Sequence, residues 1–421
     1  MKKLFYFLCL LVMGLNFTSC DDDDDVVPTV EATLTFNAPE DIIQYNPDVT
    51  IETLVLKNVN TGAVIEPLKT ARAAASASVK VIVPEGLYDV DMEAKVSYKV
   101  NNTPMNSHLR AYKEAVSLVQ ATAATPLTFP TYIYNSSSEN GGFVLAEVYF
   151  TGSATPEGKQ YDGDKYFRIY NNSNDTLCAD GLTIAESAFL TVDKQAYTPD
   201  IMNEAFSTNN IYRIPLGSKK MVAPGESILI VDNAIDHTEA NTNSFDLSEA
   251  DFEWFDEHDN PNFQDVDNKN VPNLERVYTS SLTLWIPHNR GFSSFVLCRL
   301  GEDFDHQLSA EEYLKNNHYE YSYDFVYPGG VIPMKRDAYK IPNEWILDAV
   351  NMSIESKFQW IVTSPALDKG WTYCGKVDHD QTRYNKSVRR KVISGKLLQD
   401  TNDSSVDFLP EQKADPFFKF Y

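Results

Sequence analysis

The stretch "ASVKVIVPEGLYDVDMEAKVSYKV", residues 77–100, settles the class of fold. Apolar and polar residues alternate along it, and a Pro-Glu-Gly turn at residues 84–86 divides it in two. Period two puts successive side chains on opposite faces of a strand, so this is a hairpin with one face buried. The same alternation runs outward through "VEATLTFNA" (residues 30–38) and "VTIETLVLKNV" (residues 49–59), with "NTG" at residues 60–62 as another turn. Residues 28–125 are therefore expected to form a small β-sandwich. No set of residues in it suggests catalysis, which leaves a spacer or docking role.

The "VPEGLYDVDMEAKV" portion resembles the last hairpin of prealbumin-like or Cna-B-like sandwiches, modules that precede functional domains on secreted proteins. "ATAATPLTFPTYIYNSSSENGG", residues 121–142, then loses periodicity in small residues, prolines and a Ser/Asn/Gly cluster. Residues 126–142 read as a linker. Its aromatic middle, Phe129 to Tyr134, is suited to packing on a neighbour.

From residue 143 a second β domain is expected, extending to residue 421. "FVLAEVYFTG" is followed by "DKYFRIYNNSNDTLCADGLTI", "MVAPGESILIVDNA", "SFVLCRL", "EWILDAVN" and "LLQDTNDSSVDFLP". In that order these segments resemble the strands of lamin-tail domains, which are immunoglobulin-like β-sandwiches. The resemblance rests on Glu147, on Phe167, Ile169, Tyr170 and Asn171, on Pro224, Gly225 and Ile228 to Val231, and on Asp400, Asn402, Asp407 and Phe408. The fold class expected is thus all-β: a prealbumin/Cna-B-like sandwich followed by a lamin-tail-like sandwich. The residues agree with it on physical grounds. Pro224-Gly225 suits the centre of a type II turn, and Ile228 to Val231 reads as a strand buried on both faces. Residues 143–150, 226–231 and 395–408 are expected to share one sheet system.

A compact sandwich does not need so long a chain. The excess falls at residues 191–212, 232–280, 302–343 and 363–385, all rich in aromatic residues. Long ordered insertions commonly carry function, so these are expected to form a binding or docking surface. The candidate binding residues are Trp254 and Phe255 in one insertion and Trp371 and Tyr373 in another, with at least one tryptophan face exposed. In "HYEYSYDFVYPGG", Tyr319, Tyr321, Tyr323, Phe325 and Tyr327 share one strand face. They read either as a stacking platform or as core cover.

The beginning of the chain supplies an address. Lys2 and Lys3 precede an apolar run, Leu4 to Leu15, too short to span a bilayer as a helix. Thr18 and Ser19 before Cys20 resemble a bacterial lipobox. Residues 1–19 would then be a lipoprotein signal peptide, with Cys20 the lipidated N-terminus. Asp21, Asp22, Asp23, Asp24 and Asp25 repel one another and stay solvated, so residues 20–27 form an acidic tether. Such tethers resemble those of surface-exported Bacteroidota lipoproteins, and the chain as a whole resembles an uncharacterised lipoprotein family of that group. The resemblance implies an outer-membrane lipid anchor facing the cell exterior.

A formal net charge of −24 argues against nucleic acid as a partner. Cys178, Cys298 and Cys374 lack zinc spacing and are expected to be buried thiols. "DVDNKNVPNLE" begins like a calcium loop at Asp265 and Asp267, but Lys269 occupies a ligand position and the required glycine is missing. The surplus of oxygen donors leaves room for Ca²⁺ without defining a site, and no other cofactor is expected. His237, His258, His306 and His379 each neighbour an aspartate, which in so acidic a chain is a poor argument for zinc. No nucleophile, phosphate-loop or dinucleotide motif is present.

The leading expectation is a non-enzymatic binding or accessory lipoprotein working beside a TonB-dependent receptor in the outer membrane, with a glycan or other nutrient as ligand. An adhesin and an extracellular hydrolase are the alternatives. The hydrolase would need two carboxyl groups about 5 to 10 Å apart in one cleft.

Overall fold

The computed structural model describes residues 28–67, 72–100, 103–123, 125–134, 142–260, 263 and 265–420. Cys20 and the Asp21–Asp25 run lie outside them. The fold is all-β. Among the described residues no helix is long and apolar enough to cross a membrane.

The first domain consists of β1 (Thr29–Asn37), β2 (Asp48–Asn58), β3 (Ser76–Pro84), β4 (Gly86–Val100), β5 (Thr103–Leu118), β6 (Leu127–Pro130) and β7 (Tyr132–Tyr134). One sheet has the order β3-β1-β6, and the other contains β2-β4-β5-β7. Alternation places Val30, Ala32, Leu34 and Phe36 of β1 inside, against Val90, Met92 and Ala94 of β4. The domain does not stop at residue 125. β6 runs parallel to β1, with Phe129 stacked on Phe36 at 5.2 Å, and β7 pairs with β5. Phe129, with Leu127 and Ile133 packed beside it, closes the first sandwich because burying them outweighs the chain's local lack of periodicity.

The second domain is built on β8 (Phe143–Tyr149), β9 (Tyr166–Asn171), β10 (Leu182–Ser187), β11 (Ala205–Arg213), β12 (Ser227–Val231), β13 (Phe252–Glu253), β14 (Ser294–Arg299), β15 (His318–Tyr327), β16 (Gly330–Pro342), β17 (Ile346–Ser353), β18 (Lys386–Arg390) and β19 (Phe408–Lys413). One sheet has the order β13-β12-β9-β8-β18-β19, and the other contains β15-β16-β11-β10-β14-β17. Leu145, Val148, Phe167, Ile169, Ile184, Phe295 and Val350 fill the space between them. The Pro224-Gly225 turn forms as expected: Gly225 takes φ +80° and Glu226 N donates to Ala223 O.

Residues 395–408 do not form a strand of that sheet. Leu397–Leu398 lie in a small hairpin, Ser404–Asp407 make one helical turn, and only Phe408 begins β19. Aspartates explain the break: Asp403 caps the helical turn by accepting from Ser405 N. Both faces of the first sheet are covered, as the aliphatic run in β12 requires. Ile228 and Ile230 enter the central core, whereas Leu229 and Val231 meet Tyr149, Tyr166, Ala234 and Leu247. The 232–280 insertion therefore contributes a third layer through Ala234, Leu247, Ala250 and Val271, while its Phe252 and Trp254 enter the central core.

Candidate functional site

Two buried ion networks hold the site region in place. In the second domain, Arg390 sits 1% exposed between Asp348, Asp400 and Asp407. Its Nη2 donates to Asp348 Oδ2 (2.6 Å), its Nη1 to Asp400 Oδ1 (3.2 Å) and its Nε to Leu145 O (3.0 Å). Asp400 and Asp407 of the closing "DTNDSSVD" segment thus serve a buried arginine. Residues of the calcium-like loop are also engaged: Asp267 pairs with Lys269, and Glu275 with Arg213.

Between the domains, Arg110 on β5 is again 1% exposed. Its guanidinium donates to Pro365 O (3.2 Å), Asn402 O (2.8 Å), Thr401 O (2.8 Å) and Glu93 Oε1 (3.0 Å). Lys369 returns the contact by donating to Asp91 Oδ2 (2.8 Å) and Glu93 Oε1 (3.1 Å). Charge-assisted bonds made with this little solvent fix the orientation of one sandwich on the other.

Beside this contact lies a cleft of about 600 Å³. Thr131, Tyr132 and Ile133 line it from the first domain, facing Asn203, Glu204, Asn343, Glu344, Ser364 and Asn402 from the second. Asn343 Nδ2 donates to Met202 O (3.0 Å), while its Oδ1 is buried with no partner. Burial raises the Tyr132 hydroxyl above its ordinary range, and Asp200 raises it further. That hydroxyl therefore stays protonated and can donate to a ligand. The lining suits a polar molecule, since hydroxyl, amide and carboxylate groups converge at a domain boundary. Asp348 is committed to Arg390 and Leu145 N, and Glu204 and Glu344 are exposed.

Interior carboxyls give this domain an unusual pH dependence. Burial pushes Asp348 and Asp368 up to about 7, and Asp265 up to about 6. Arg390 opposes the rise at Asp348, and hydrogen bonds from Ser404 and Asn351 oppose it at Asp368. An unfolded aspartate titrates near about 3.9, so between about pH 4 and 7 the folded chain binds more protons than the unfolded one. The contribution of these three carboxyls to stability then falls as pH rises through that window, opposed by His288, which burial lowers to about 4. The thermal midpoint is expected to be higher at pH 5 than at pH 8. A midpoint that instead rises from pH 5 to 8 would mean these carboxyls are ionised within the fold.

The residues singled out by sequence are scattered. Trp254 is 0% exposed, packed against Phe167 (5.7 Å) and Trp285 (5.1 Å) in the central core, so it offers no face to a ligand. It was expected at the surface because turn residues flank it. However, β13 tucks beside β12 and carries the indole inward. Phe255 is half-buried next to it. Trp371 is half-buried and stacks on Phe358 at 4.6 Å, with Tyr373 5.8 Å away. The two insertions do touch, Asn385 Nδ2 donating to Asn243 O (2.8 Å), but not through their tryptophans. None of the four residues lines the cleft. The one sequence signal for the cleft was the aromatic "PTYIY" run, and Asn203, Asn343 and Asn402 carried none.

The strand with five aromatic residues divides its roles. Tyr319 and Tyr321 are buried with Phe189 and Trp360, and Tyr197 stacks on Phe189 at 3.8 Å. Beyond them β15 and β16 project as an arm. Its outer part exposes Phe325 (41%), Val326 (71%), Tyr327 (42%), Val331 (56%) and Ile332 (45%).

The architecture defines a class: two all-β domains joined through the Arg110 and Lys369 contacts, the second enlarged by packed insertions. Residues 223–415 match the profile of a family described as "Protein of unknown function (DUF4876)". The fold is similar to the crystal structure of a DUF4876 family protein from Bacteroides thetaiotaomicron. The TM-score is 0.52 at 20% sequence identity, covering 92% of this chain and 96% of that one. No curated protein matches.

Proposed function

We propose that this chain is a binding module displayed on the cell surface, and that a polar ligand of the glycan or peptide class occupies the interdomain cleft. The carrying observation is the cleft itself: about 600 Å³, with polar groups contributed by both domains. Anchorage through Cys20 and the Asp21–Asp25 tether would hold the module at the outer membrane. There it would deliver its ligand to a TonB-dependent receptor, as an accessory protein and not an enzyme. The lamin-tail-like, immunoglobulin-related ancestry of the second domain belongs to this reading and is supported by the order of its motifs.

A panel of oligosaccharides and short peptides tests it by calorimetry. At least one member is expected to bind saturably, with Tyr132→Ala and Asn343→Leu each weakening it about tenfold or more. Trp371→Ala should leave the affinity unchanged. Binding insensitive to both cleft variants, or no binding across the panel, overturns the assignment.

A second reading, an adhesin docking through the projecting arm, is favoured by the apolar residues exposed at its tip. Replacing Phe325, Val326 and Tyr327 with serine would then abolish attachment while leaving cleft binding intact.

A further inference from the structure

At the base of the same arm, on the face opposite the aromatic rings, we infer a site for a divalent transition metal of the zinc class, formed by His318, Glu320 and Asp337. His318 and Glu320 are two apart on β15 and so share a face, and the antiparallel register sets Asp337 directly across from Glu320. The three side chains offer ligand atoms that all lie within 4.8 Å of one another. His318 Nε2 is already 3.6 Å from Asp337 Oδ1. Tetrahedral ligands at about 2.1 Å from zinc stand roughly 3.4 Å apart, so small rotamer adjustments close the site.

Two independent features argue that the cluster is more than surface acidity. Like charges directly opposite on an antiparallel pair are destabilising, yet among the described residues no lysine or arginine forms an ion pair with Glu320 or Asp337. A bound cation would remove that repulsion. The backbone beneath is also held firmly: the intervening Tyr319, Tyr321 and Ala338 point the other way into a buried aromatic cluster. The His318 ring stands edge-on to Tyr339 at 5.8 Å, which limits its rotation. One imidazole with two carboxylates suits Zn²⁺, Co²⁺ or Ni²⁺ better than Ca²⁺ or Mg²⁺, which take oxygen ligands. Three protein ligands leave a fourth position facing solvent, open to a ligand atom from a small molecule or a docking protein.

Sequence supplied no metal site: the histidines with an aspartate neighbour in the chain were a poor argument for zinc. The cluster needs a partner across a hairpin, which adjacency does not reveal.

The test is calorimetric titration of the chain lacking residues 1–19 with ZnCl₂, followed by thermal unfolding with and without the metal. One saturable site is expected, with an accompanying rise in midpoint. His318→Ala, Glu320→Gln and Asp337→Asn should each weaken zinc binding about tenfold or more, and His379→Ala should not. All three side chains point outward, so the variants should keep the wild-type circular dichroism spectrum. In metal-free protein, Glu320→Gln should raise the midpoint slightly, because the cross-strand repulsion is gone. Absence of saturable binding, or zinc binding that survives His318→Ala, overturns the site. Displacement of zinc by equimolar CaCl₂ overturns its class.

Discussion

Arg390→Ala is expected to destabilise the second domain by about 3 to 5 kcal/mol, lowering its thermal midpoint by roughly 10 °C or more. The guanidinium is the single cation inside a cage of Asp348, Asp400 and Asp407, all nearly fully buried. Truncation would leave those carboxyl groups facing one another in low dielectric and would also free the carbonyls of Leu145 and Gln399. Phe408, over which the guanidinium sits at 4.5 Å, would lose its polar cover. Arg390→Lys keeps the charge but not the fork, so it should fall between wild type and Ala. The deficit should shrink at pH 5, because Asp348 is then protonated and the cage carries less charge. Differential scanning calorimetry of the three proteins at pH 5 and pH 8 checks this. An unchanged midpoint in Arg390→Ala would show that the cage does not hold the domain together.

Trp254→Ala should cost a similar amount, about 3 to 5 kcal/mol, because it empties the centre of the core. The ring lies against Phe167 and Trp285, whose own N–H donates to Glu186 Oε2 at 2.7 Å. A cavity there would loosen both sheets at once. The indole nitrogen of Trp254 has no hydrogen-bond partner, so its contribution is packing alone. Trp254→Phe should accordingly recover most of the loss, leaving about 1 to 2 kcal/mol. Trp371→Ala is the contrast: half-buried on Phe358, it should cost about 1 kcal/mol or less. Urea titration of the three variants separates a core tryptophan from a surface one. Near-equal midpoints for Trp254→Ala and wild type would contradict its central place.

Strand-forming stretches were legible in the sequence because their signal is local. Residues 77–100 show the period of two that a half-buried strand must have, and they fold into β3 and β4. The Pro224-Gly225 turn and the doubly buried run after it were readable for the same reason: backbone chemistry dictates the turn, and unbroken aliphatic side chains dictate the burial. The linker was less legible. Phe129 has no periodic neighbours to announce a strand, and its place is set by Phe36, more than ninety residues earlier.

What lies near the cleft was almost invisible. Asn343 looks like any loop asparagine until the fold brings it to the cleft that Tyr132 of the other domain also lines. Trp254 illustrates the reverse error. A tryptophan among aspartates and asparagines resembles a surface anchor in one dimension, yet two residues of parallel pairing with β12 turn it inward.

By itself, then, the chain determined its all-β class, its turns and the acidic character of its beginning, since propensity, periodicity and charge act over a few residues. Tertiary structure alone decided which acids meet Arg390, which tryptophan fills the core and which loops face each other across the cleft. Those outcomes depend on contacts and juxtapositions of residues that no local pattern links, from Arg390 and Asp400 within one segment to Tyr132 and Asn343 in different domains. In such contacts the free energy of burying a ring or pairing a charge exceeds any local preference.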